Sequence, residues 1–385
     1  MKVLIVGGGI AGLTLADCLL QSGHEVILVE KAPKLRTEGY MIDFFGPGYE
    51  VAEKMGLLPE LEAIHYPIQS VKFLHVQGEE KLSISYASLR SLFQGRHYNF
   101  MRESLERLLY QRVKGRIDFR FGTTIQSLAQ DPDQVDVTLS DGSSITCDLM
   151  VGADGVHSKV RSLAFGEDRS PLNFLGYYTA AYVLDKPWGD SKEDSFYMLT
   201  SPGRQVGVYP IDEKRLATFF LYKAPRLDQS ITRETINREL QSHYGDLGWI
   251  VPELLTACET APDLYFDEVS QVQMAEWKRG RVVLVGDACQ AVSLVAGQGA
   301  SMAMAGAYIL SRELQREQNI SIALQNYERL MQPPITKIQK SARRFASWFV
   351  PENRLTLWMR ETTMQLAVKP LFKRLVNLNQ VKLPR

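Results

Sequence analysis

Three glycines and one glutamate near the start of the chain have the spacing of a dinucleotide-binding site. Gly7, Gly9 and Gly12 follow a short apolar run, and Glu30 ends a second one, 26–29. The first glycine permits a tight turn, the second lets the backbone approach a pyrophosphate, and the third allows the helix to pack closely on the strand. The pyrophosphate would bind the free N–H groups at the start of the helix. Glu30 is placed to accept hydrogen bonds from a ribose diol, and its charge would repel the 2′-phosphate of NADP from this pocket.

Two later segments also combine an apolar strand with an aspartate in a small-residue turn. Asp154 follows the run 149–152, and Asp287 follows the run 281–285. An aspartate at such a turn can accept hydrogen bonds from sugar hydroxyls, although Asp154 could equally cap the helix that comes after it. Residues 297–300 then open a helix of small residues, whose N-terminal N–H groups favour a nearby anion.

Apolar runs alternate with helical stretches around these turns, which predicts an α/β domain with a parallel sheet. Residues 172–270 differ, because alternating segments rich in aromatic residues predict an antiparallel sheet there. A loop is expected over 33–48, where proline and glycine recur. The expected organisation is a discontinuous nucleotide-binding domain of residues 1–70, 96–170 and 271–330, a sheet domain of 71–95 and 171–270, and C-terminal helices over 331–385.

Composition excludes several classes of protein. The 385 residues carry no net formal charge, which gives no general attraction for nucleic acid. The four cysteines form no CxxC pair and the six histidines lack metal-ligand spacing, so we expect reduced thiols, a cytoplasmic protein and no bound metal. The segment 331–385 holds eleven Lys or Arg and two Asp or Glu, a balance of +9. A helix pair packed on the body is the favoured interpretation, and weak contact with a membrane surface is the alternative.

Taken together and in order, the three motifs resemble those of the class A flavoprotein monooxygenases, the FAD hydroxylases of the p-hydroxybenzoate hydroxylase type. The resemblance covers residues 1 to about 310. The segment that contains Arg36 and Asp43, and the helix that begins at Arg102, are most similar to the tetracycline-inactivating and polyketide-tailoring members. The resemblance implies an α/β fold: a Rossmann-type, GR2-like FAD-binding domain with an inserted antiparallel substrate sheet and a C-terminal helical segment.

The resemblance also implies roles for individual residues. The glycine loop with Ala11 would hold the FAD pyrophosphate, Glu30 and Lys31 the adenosine, and Asp287 the ribityl chain or pyrophosphate. Arg36 would be linked to the use of NADPH. The remaining residues expected to contact FAD are Asp43, Arg102, Asp154, Gly297, Gly299 and Ala300. One departure stands out, because the family usually has histidine and proline where this chain has Gln290 and Leu294.

The reaction implied by the resemblance uses FAD as cofactor and NADPH or NADH as co-substrate. Reduced flavin reacts with O₂, and a C4a-hydroperoxide transfers one oxygen atom to an aromatic or polycyclic small molecule. An epoxidase, a halogenase and an isoprenoid-type reductase are alternatives within flavin chemistry. A dehydrogenase would leave the second and third motifs unexplained, and a flavin-holding protein without catalysis is suggested only by the basic tail.

Nine aromatic residues of the predicted sheet could line a substrate pocket. Alternation along a strand means that only one parity can face that pocket, and the sequence does not say which. The nine are Tyr177, Tyr178, Tyr182, Phe196, Tyr197, Tyr209, Phe219, Phe220 and Tyr222.

Overall fold

The computed structural model describes residues 1–35, 40–66, 68–166, 172–185, 195–228, 230–293, 296–367 and 382–384. The strands are β1 (Lys2–Val6), β2 (Glu25–Glu30), β3 (Met41–Phe45), β4 (Ser70–Leu74), β5 (Glu80–Ser85), β6 (His97–Met101), β7 (Asp118–Phe121), β8 (Ile125–Gln130), β9 (Val135–Leu139), β10 (Ser144–Cys147), β11 (Leu149–Gly152), β12 (Leu172–Asp185), β13 (Ser195–Ser201), β14 (Arg204–Pro210), β15 (Arg215–Lys223), β16 (Tyr265–Val272), β17 (Lys278–Arg279) and β18 (Val282–Leu284). The helices are α1 (Ile10–Gln21), α2 (Pro47–Lys54), α3 (Leu58–Ile64), α4 (Tyr86–Leu92), α5 (Arg102–Val113), α6 (Lys159–Phe165), α7 (Arg233–Tyr244), α8 (Val251–Cys258), α9 (Asp287–Gln290), α10 (Gly299–Arg316), α11 (Ile320–Phe349) and α12 (Arg354–Ala367).

A six-stranded sheet in the order β17-β18-β11-β1-β2-β7 forms the centre of the larger part. Strands β18, β11, β1 and β2 pair in parallel, and their side chains are almost entirely buried. The three motif turns follow β1, β11 and β18, which are neighbours. Because parallel strands end at the same edge, this strand order brings the three turns together, as expected for an open α/β sheet.

A seven-stranded sheet in the order β16-β12-β15-β14-β13-β4-β5 forms the second large part. Its pairs are antiparallel except that β4 runs parallel to β13. Helices α7 and α8 cover its outer face, where their apolar side chains share a buried cluster with the sheet. The α7 helix is capped by Thr232, whose hydroxyl accepts a hydrogen bond from the Thr235 backbone N–H at 3.2 Å. The chain therefore has the mixed α/β architecture that the sequence predicts.

The prediction of a loop over residues 33–48 is wrong for part of this segment. Met41–Phe45 forms β3, which pairs with β6 in a two-stranded ribbon, and α2 begins at Pro47. The ribbon lies between the two large parts: Phe44 is in the main core, whereas Met41 contacts the seven-stranded sheet. The glycines and prolines of the segment favour a loop, whereas the strand depends on a partner strand that is more than fifty residues away in the chain.

The C-terminal helix α11 packs along the main core. Its apolar side chains Ala323, Leu324, Tyr327, Met331 and Ile335 are buried there. The helix is capped by Asn319, whose side-chain oxygen accepts a hydrogen bond from Ile322 N–H at 3.3 Å. Among the described residues, no helix combines the length and the apolar character that crossing a bilayer requires.

Candidate functional site

The glycine loop between β1 and α1 has one open position and two that are tightly enclosed. Gly7 has φ +114°, and a Cβ there would lie 2.3 Å from the carbonyl oxygen of Ala153. A Cβ on Gly12 would lie 2.0 Å from the carbonyl oxygen of Gly7. At Gly9 the nearest atoms would be 3.5 Å away or more. Gly7 and Gly12 therefore build the turn, and Gly9 leaves free space in front of the helix.

The first turn of α1 has no side-chain cap and no acidic residue. Its N–H groups and the positive end of the helix dipole are therefore available to an anion. Ala11 lies just behind this turn, and a Cβ built on Gly286 would be 2.6 Å from the Ala11 side chain. The helix start consequently packs against the third motif, which explains why both positions carry small residues.

Glu30 is hydrogen-bonded to the glycine loop. Its carboxylate accepts hydrogen bonds from Gly8 N–H at 2.7 Å and from Ala32 N–H at 2.8 Å. Glu30 and Lys31 both line the cleft in front of the loop. The acid that ends β2 is thus held beside the glycine turn by the backbone itself.

Asp154 is the N-terminal anchor of α6. Its carboxylate accepts hydrogen bonds from Lys159 N–H at 2.7 Å and Val160 N–H at 3.0 Å, and also from the hydroxyl of Ser158. Burial raises the pKa of the Asp154 carboxyl, and these hydrogen bonds oppose that rise. Asp154 also lines the cleft. The same residue therefore accepts hydrogen bonds from the start of α6 and lies at the candidate site.

The other end of the cleft is lined by charged and aromatic side chains. Arg102 pairs with Glu106 across one helical turn, with 2.7 Å between Nη2 and Oε1. The rings of Tyr40 and Tyr265 lie 5.7 Å apart, centre to centre. The carboxylate of Asp287 opens to this space. Desolvation by the cleft walls raises the pKa of this carboxyl, and the positive charge of Arg102 opposes that rise.

A single cleft of about 470 Å³ connects these features. It runs from Glu30 and Lys31 past the glycine loop to Asp287, and it reaches Ala181 and Tyr265 of the seven-stranded sheet. The uncapped helix start, the space at Gly9 and the carboxylates at both ends fit a dinucleotide such as FAD. The expected residues that line this cleft are Gly7, Gly9, Glu30, Lys31, Arg102, Asp154 and Asp287.

Other expected residues lie outside the lining of this cleft. Gly12 and Ala11 are packed behind the loop, and Gly299 and Ala300 form the start of α10, just after Gly297. Asp43 lies on the β3–β6 ribbon, where its carboxylate is 3.1 Å from Nε2 of the buried His97. Arg36 and Leu294 fall outside the described residues.

Sequence reasoning missed several residues of the cleft. Asp267 on β16 lies 3.3 Å from His157 of the turn after β11, so a carboxylate and an imidazole bridge the two large parts. This hydrogen bond raises the pKa of His157. Tyr40, Glu106 and Ala181 also line the cleft. Apart from His157, which lies in the second motif turn, none belongs to a motif, although Glu106 is four residues from Arg102, the spacing at which helical side chains meet.

The inner face of the seven-stranded sheet is now defined. Tyr178, Tyr182, Tyr197, Phe220 and Tyr222 pack on the outer face with α7 and α8. The opposite parity belongs to the inner face and comprises Tyr177, Phe196, Tyr209 and Phe219. Five of the nine candidate aromatics are therefore outer-face core residues and not pocket residues.

Comparison with known proteins points the same way. A family model described as "FAD binding domain" matches residues 1–329. An uncharacterized protein of Mycobacterium tuberculosis is 35% identical over 325 residues, covering 82% of this chain and 85% of the relative. A flavin-dependent monooxygenase of Phoma sp. is 30% identical over 390 residues, covering 94% and 88%. The crystal structure of tetracycline destructase Tet(55) superposes with a TM-score of 0.86 at 26% identity, covering 100% of this chain and 98% of that one.

Proposed function

Because this chain belongs to the FAD-binding-domain family and is a class A FAD-dependent monooxygenase, we propose that it oxygenates a flat, largely apolar aromatic or polycyclic molecule. NADPH or NADH is the proposed electron donor. When bound, FAD supplies the chemistry: it takes up the electrons and delivers one oxygen atom of O₂ to the substrate. The protein contributes binding, orientation and exclusion of water.

Residues at different places along the cleft would bind different parts of the proposed cofactor. Gly9 and the uncapped start of α1 would hold the pyrophosphate, and Glu30 with Lys31 the adenosine. Arg102 and Asp287 would contact the chain that leads to the flavin ring. Gly297, Gly299 and Ala300, at the start of α10, would approach the ring itself. We also retain the division into a discontinuous FAD domain, a sheet domain and C-terminal helices as a proposal.

One observation carries the assignment of the substrate site. Strand register places Tyr265, Ala181, Phe219, Gly207 and Met198 in a single row across five strands of the inner face. The first two residues of that row also line the cofactor cleft. We propose that the substrate site extends from the cleft along this row, which carries two aromatic rings, small residues and a thioether. Such a surface suits a flat apolar substrate.

The next row of the sheet supplies a polar contact. Thr179 lies between Asp267 and Leu221, is 3% exposed, and its hydroxyl has no hydrogen-bond partner among the residues that the structure describes. A buried hydroxyl without a partner is unfavourable unless something binds it. We propose that a polar substituent of the substrate hydrogen-bonds to Thr179, which would orient the ring next to the flavin.

The first experiment identifies a substrate. Purified holoenzyme is mixed with NADPH or NADH and a panel of phenolic and polycyclic compounds, and coenzyme oxidation is recorded together with product mass. An oxygenated product supports the proposal. Coenzyme oxidation that yields a reduced product, with no oxygen added, would favour the reductase alternative.

Two neighbouring phenylalanines then test the substrate face. Phe219 is on the inner face, and Phe220 is buried on the outer face with α7 and α8. Phe219→Ala is expected to raise the KM for the identified substrate about tenfold, with FAD affinity unchanged. Phe220→Ala is expected to lower stability by about 3–5 kcal/mol without a selective effect on KM. A KM effect in Phe220→Ala alone would place the substrate elsewhere.

We further propose a cytoplasmic enzyme that contacts anionic membranes weakly through its C-terminal segment. The four cysteines are buried and unbonded, in keeping with a reducing compartment. Trp348, Leu355, Trp358 and Met359 are exposed in a segment whose balance is +9. Sedimentation with phosphatidylserine vesicles should be seen at low salt and be reduced by Trp358→Ser. Equal sedimentation with neutral vesicles would contradict the electrostatic part of this proposal.

A further inference from the structure

Two buried glutamines join the C-terminal helix to the segment that follows Asp287. Gln339 on α11 donates from Nε2 to the carbonyl oxygens of Val272 at 2.8 Å and Ala291 at 2.9 Å. Gln271 on β16 donates from Nε2 to the carbonyl oxygens of Val292 at 3.2 Å and Gln339 at 3.0 Å. Their exposed fractions are 6% and 0%. The two amides therefore fix two consecutive carbonyl groups, those of Ala291 and Val292.

The two carbonyl groups that these glutamines bind lie close in the chain to a residue of the cleft. Ala291 and Val292 come directly after α9, the short helix that begins at Asp287, and they precede the turn at Gly297. Ala291 accepts one further hydrogen bond, from Val272 N–H at 3.2 Å. The described residues Ala291 and Val292 are thus held by a side chain from a different sheet and by one from a helix almost fifty residues later.

A second attachment lies next to the first. Gln290 donates to the hydroxyl of Tyr327 on α11 at 2.6 Å, and that hydroxyl donates to the carbonyl oxygen of Leu284 at 3.0 Å. Gln290 fits only because α10 has Gly306 opposite it, where a Cβ would lie 2.5 Å from the amide. Helix α11 thus holds residues on both sides of the end of α9.

We infer that Gln271 and Gln339 are positioning residues for FAD. They hold Ala291 and Val292, which follow the cleft residue Asp287 closely in the chain, so that the C-terminal helix forms part of the cofactor site rather than a cover over the core. Directional hydrogen bonds fix a backbone position that apolar packing alone would leave free to shift. The inference rests on the binding of FAD, but not on the proposed substrate or electron donor.

The test compares two glutamines of the same helix. Gln339→Met keeps the length of the side chain and removes both donors, whereas Gln332→Met removes a hydrogen bond to the Ala275 carbonyl oxygen and leaves Ala291 untouched. FAD affinity is measured by quenching of flavin fluorescence, and apoprotein stability by urea unfolding. We expect FAD to bind about tenfold more weakly to Gln339→Met, the equivalent of one or two lost hydrogen bonds, and normally to Gln332→Met.

A milder variant keeps the inference testable should Gln339→Met fail to fold. Arg343 is exposed and donates to Oε1 of Gln271 at 2.6 Å, at the edge of the cluster. Arg343→Met is expected to fold normally and to weaken FAD binding about threefold, in the same direction. If the variants that fold lose apoprotein stability but bind FAD with wild-type affinity, the glutamines only attach α11 to the body, and the inference is wrong. Wild-type protein that takes up no FAD would instead refute the assignment of the cofactor.

Discussion

The glycine loop allows cofactor binding and folding to be separated by two substitutions three residues apart. Gly9 has φ −81°, which any residue can adopt, and a Cβ there would have its nearest neighbour, Oε1 of Glu106, at 3.5 Å. Alanine at this position restricts the unfolded chain, so we expect the apoprotein to be unchanged or more stable by about 0.4–1 kcal/mol. The new methyl group would project into the cleft, where the pyrophosphate is expected.

The expected magnitude follows from the cost of inserting a methyl group into a filled space, about 1–3 kcal/mol. Gly9→Ala should therefore bind FAD roughly 5- to 150-fold more weakly. Gly12→Ala is the contrasting variant, because its Cβ would lie 2.0 Å from the backbone oxygen of Gly7 and no flexible side chain can yield. We expect it to lose more than about 4 kcal/mol of apoprotein stability, a large part of what a domain has.

Both variants are measured in the same two assays, urea unfolding of apoprotein and titration with FAD followed by flavin fluorescence. Wild-type FAD affinity in Gly9→Ala would refute the position of the pyrophosphate. Wild-type stability in Gly12→Ala would refute the packing of α1 on the turn after β1. The two results are independent, so either half of the reasoning can fail alone.

Three further variants test other residues with proposed roles, two of which line the cleft. Asp287→Ala should release FAD without lowering the apoprotein Tm, because this side chain is exposed in the cleft and is not packed in the core; retained stoichiometric flavin would contradict this. Arg36→Ala should slow flavin reduction by NADPH more than it weakens FAD binding, as rapid-mixing kinetics would reveal. Asp267→Asn should lower the pKa of His157 in an NMR titration. The wild-type pair stabilises the folded protein below the ordinary histidine value of about 6.5, and the stabilisation is lost as pH rises through the raised pKa, so the variant should differ from wild type least at high pH.

The motif turns were predictable because their constraints are local. Gly7 has a φ of +114°, and a Cβ on Gly12 would meet the carbonyl oxygen of Gly7 five residues earlier, so the spacing records requirements that lie within the turn itself. The aspartates at 154 and 287 follow buried apolar strands, whose parallel pairing is typical of such runs. Residue type and spacing were therefore enough to predict three strand-to-turn units, and the neighbouring parallel strands β1, β11 and β18 bring those turns to one edge of the sheet.

Other parts of the site depend on partners that sequence spacing does not encode. Met41–Phe45 becomes a strand only because His97–Met101 is available to pair with it. Gln271 and Gln339 are 68 residues apart and belong to no motif, yet their side-chain amides donate to the consecutive carbonyl oxygens of Val292 and Ala291. A polar residue in a strand and one in a long helix are ordinarily read as solvent-facing, so their burial becomes visible only when the fold is assembled.

The face of the inserted sheet illustrates the same limit more sharply. Phe219 and Phe220 are identical in type and adjacent in a buried strand, so neither hydropathy nor propensity distinguishes them. What distinguishes them is the position of α7 and α8, which cover the outer face and thereby assign Phe220 to the core. Phe219 therefore lies on the inner face. It is in register with Ala181, which is in turn in register with Tyr265, and both of these residues line the end of the proposed cofactor cleft. Substrate selectivity in this enzyme should therefore change with substitutions at alternate positions of β12 and β15, and substitutions at the intervening positions should alter stability instead.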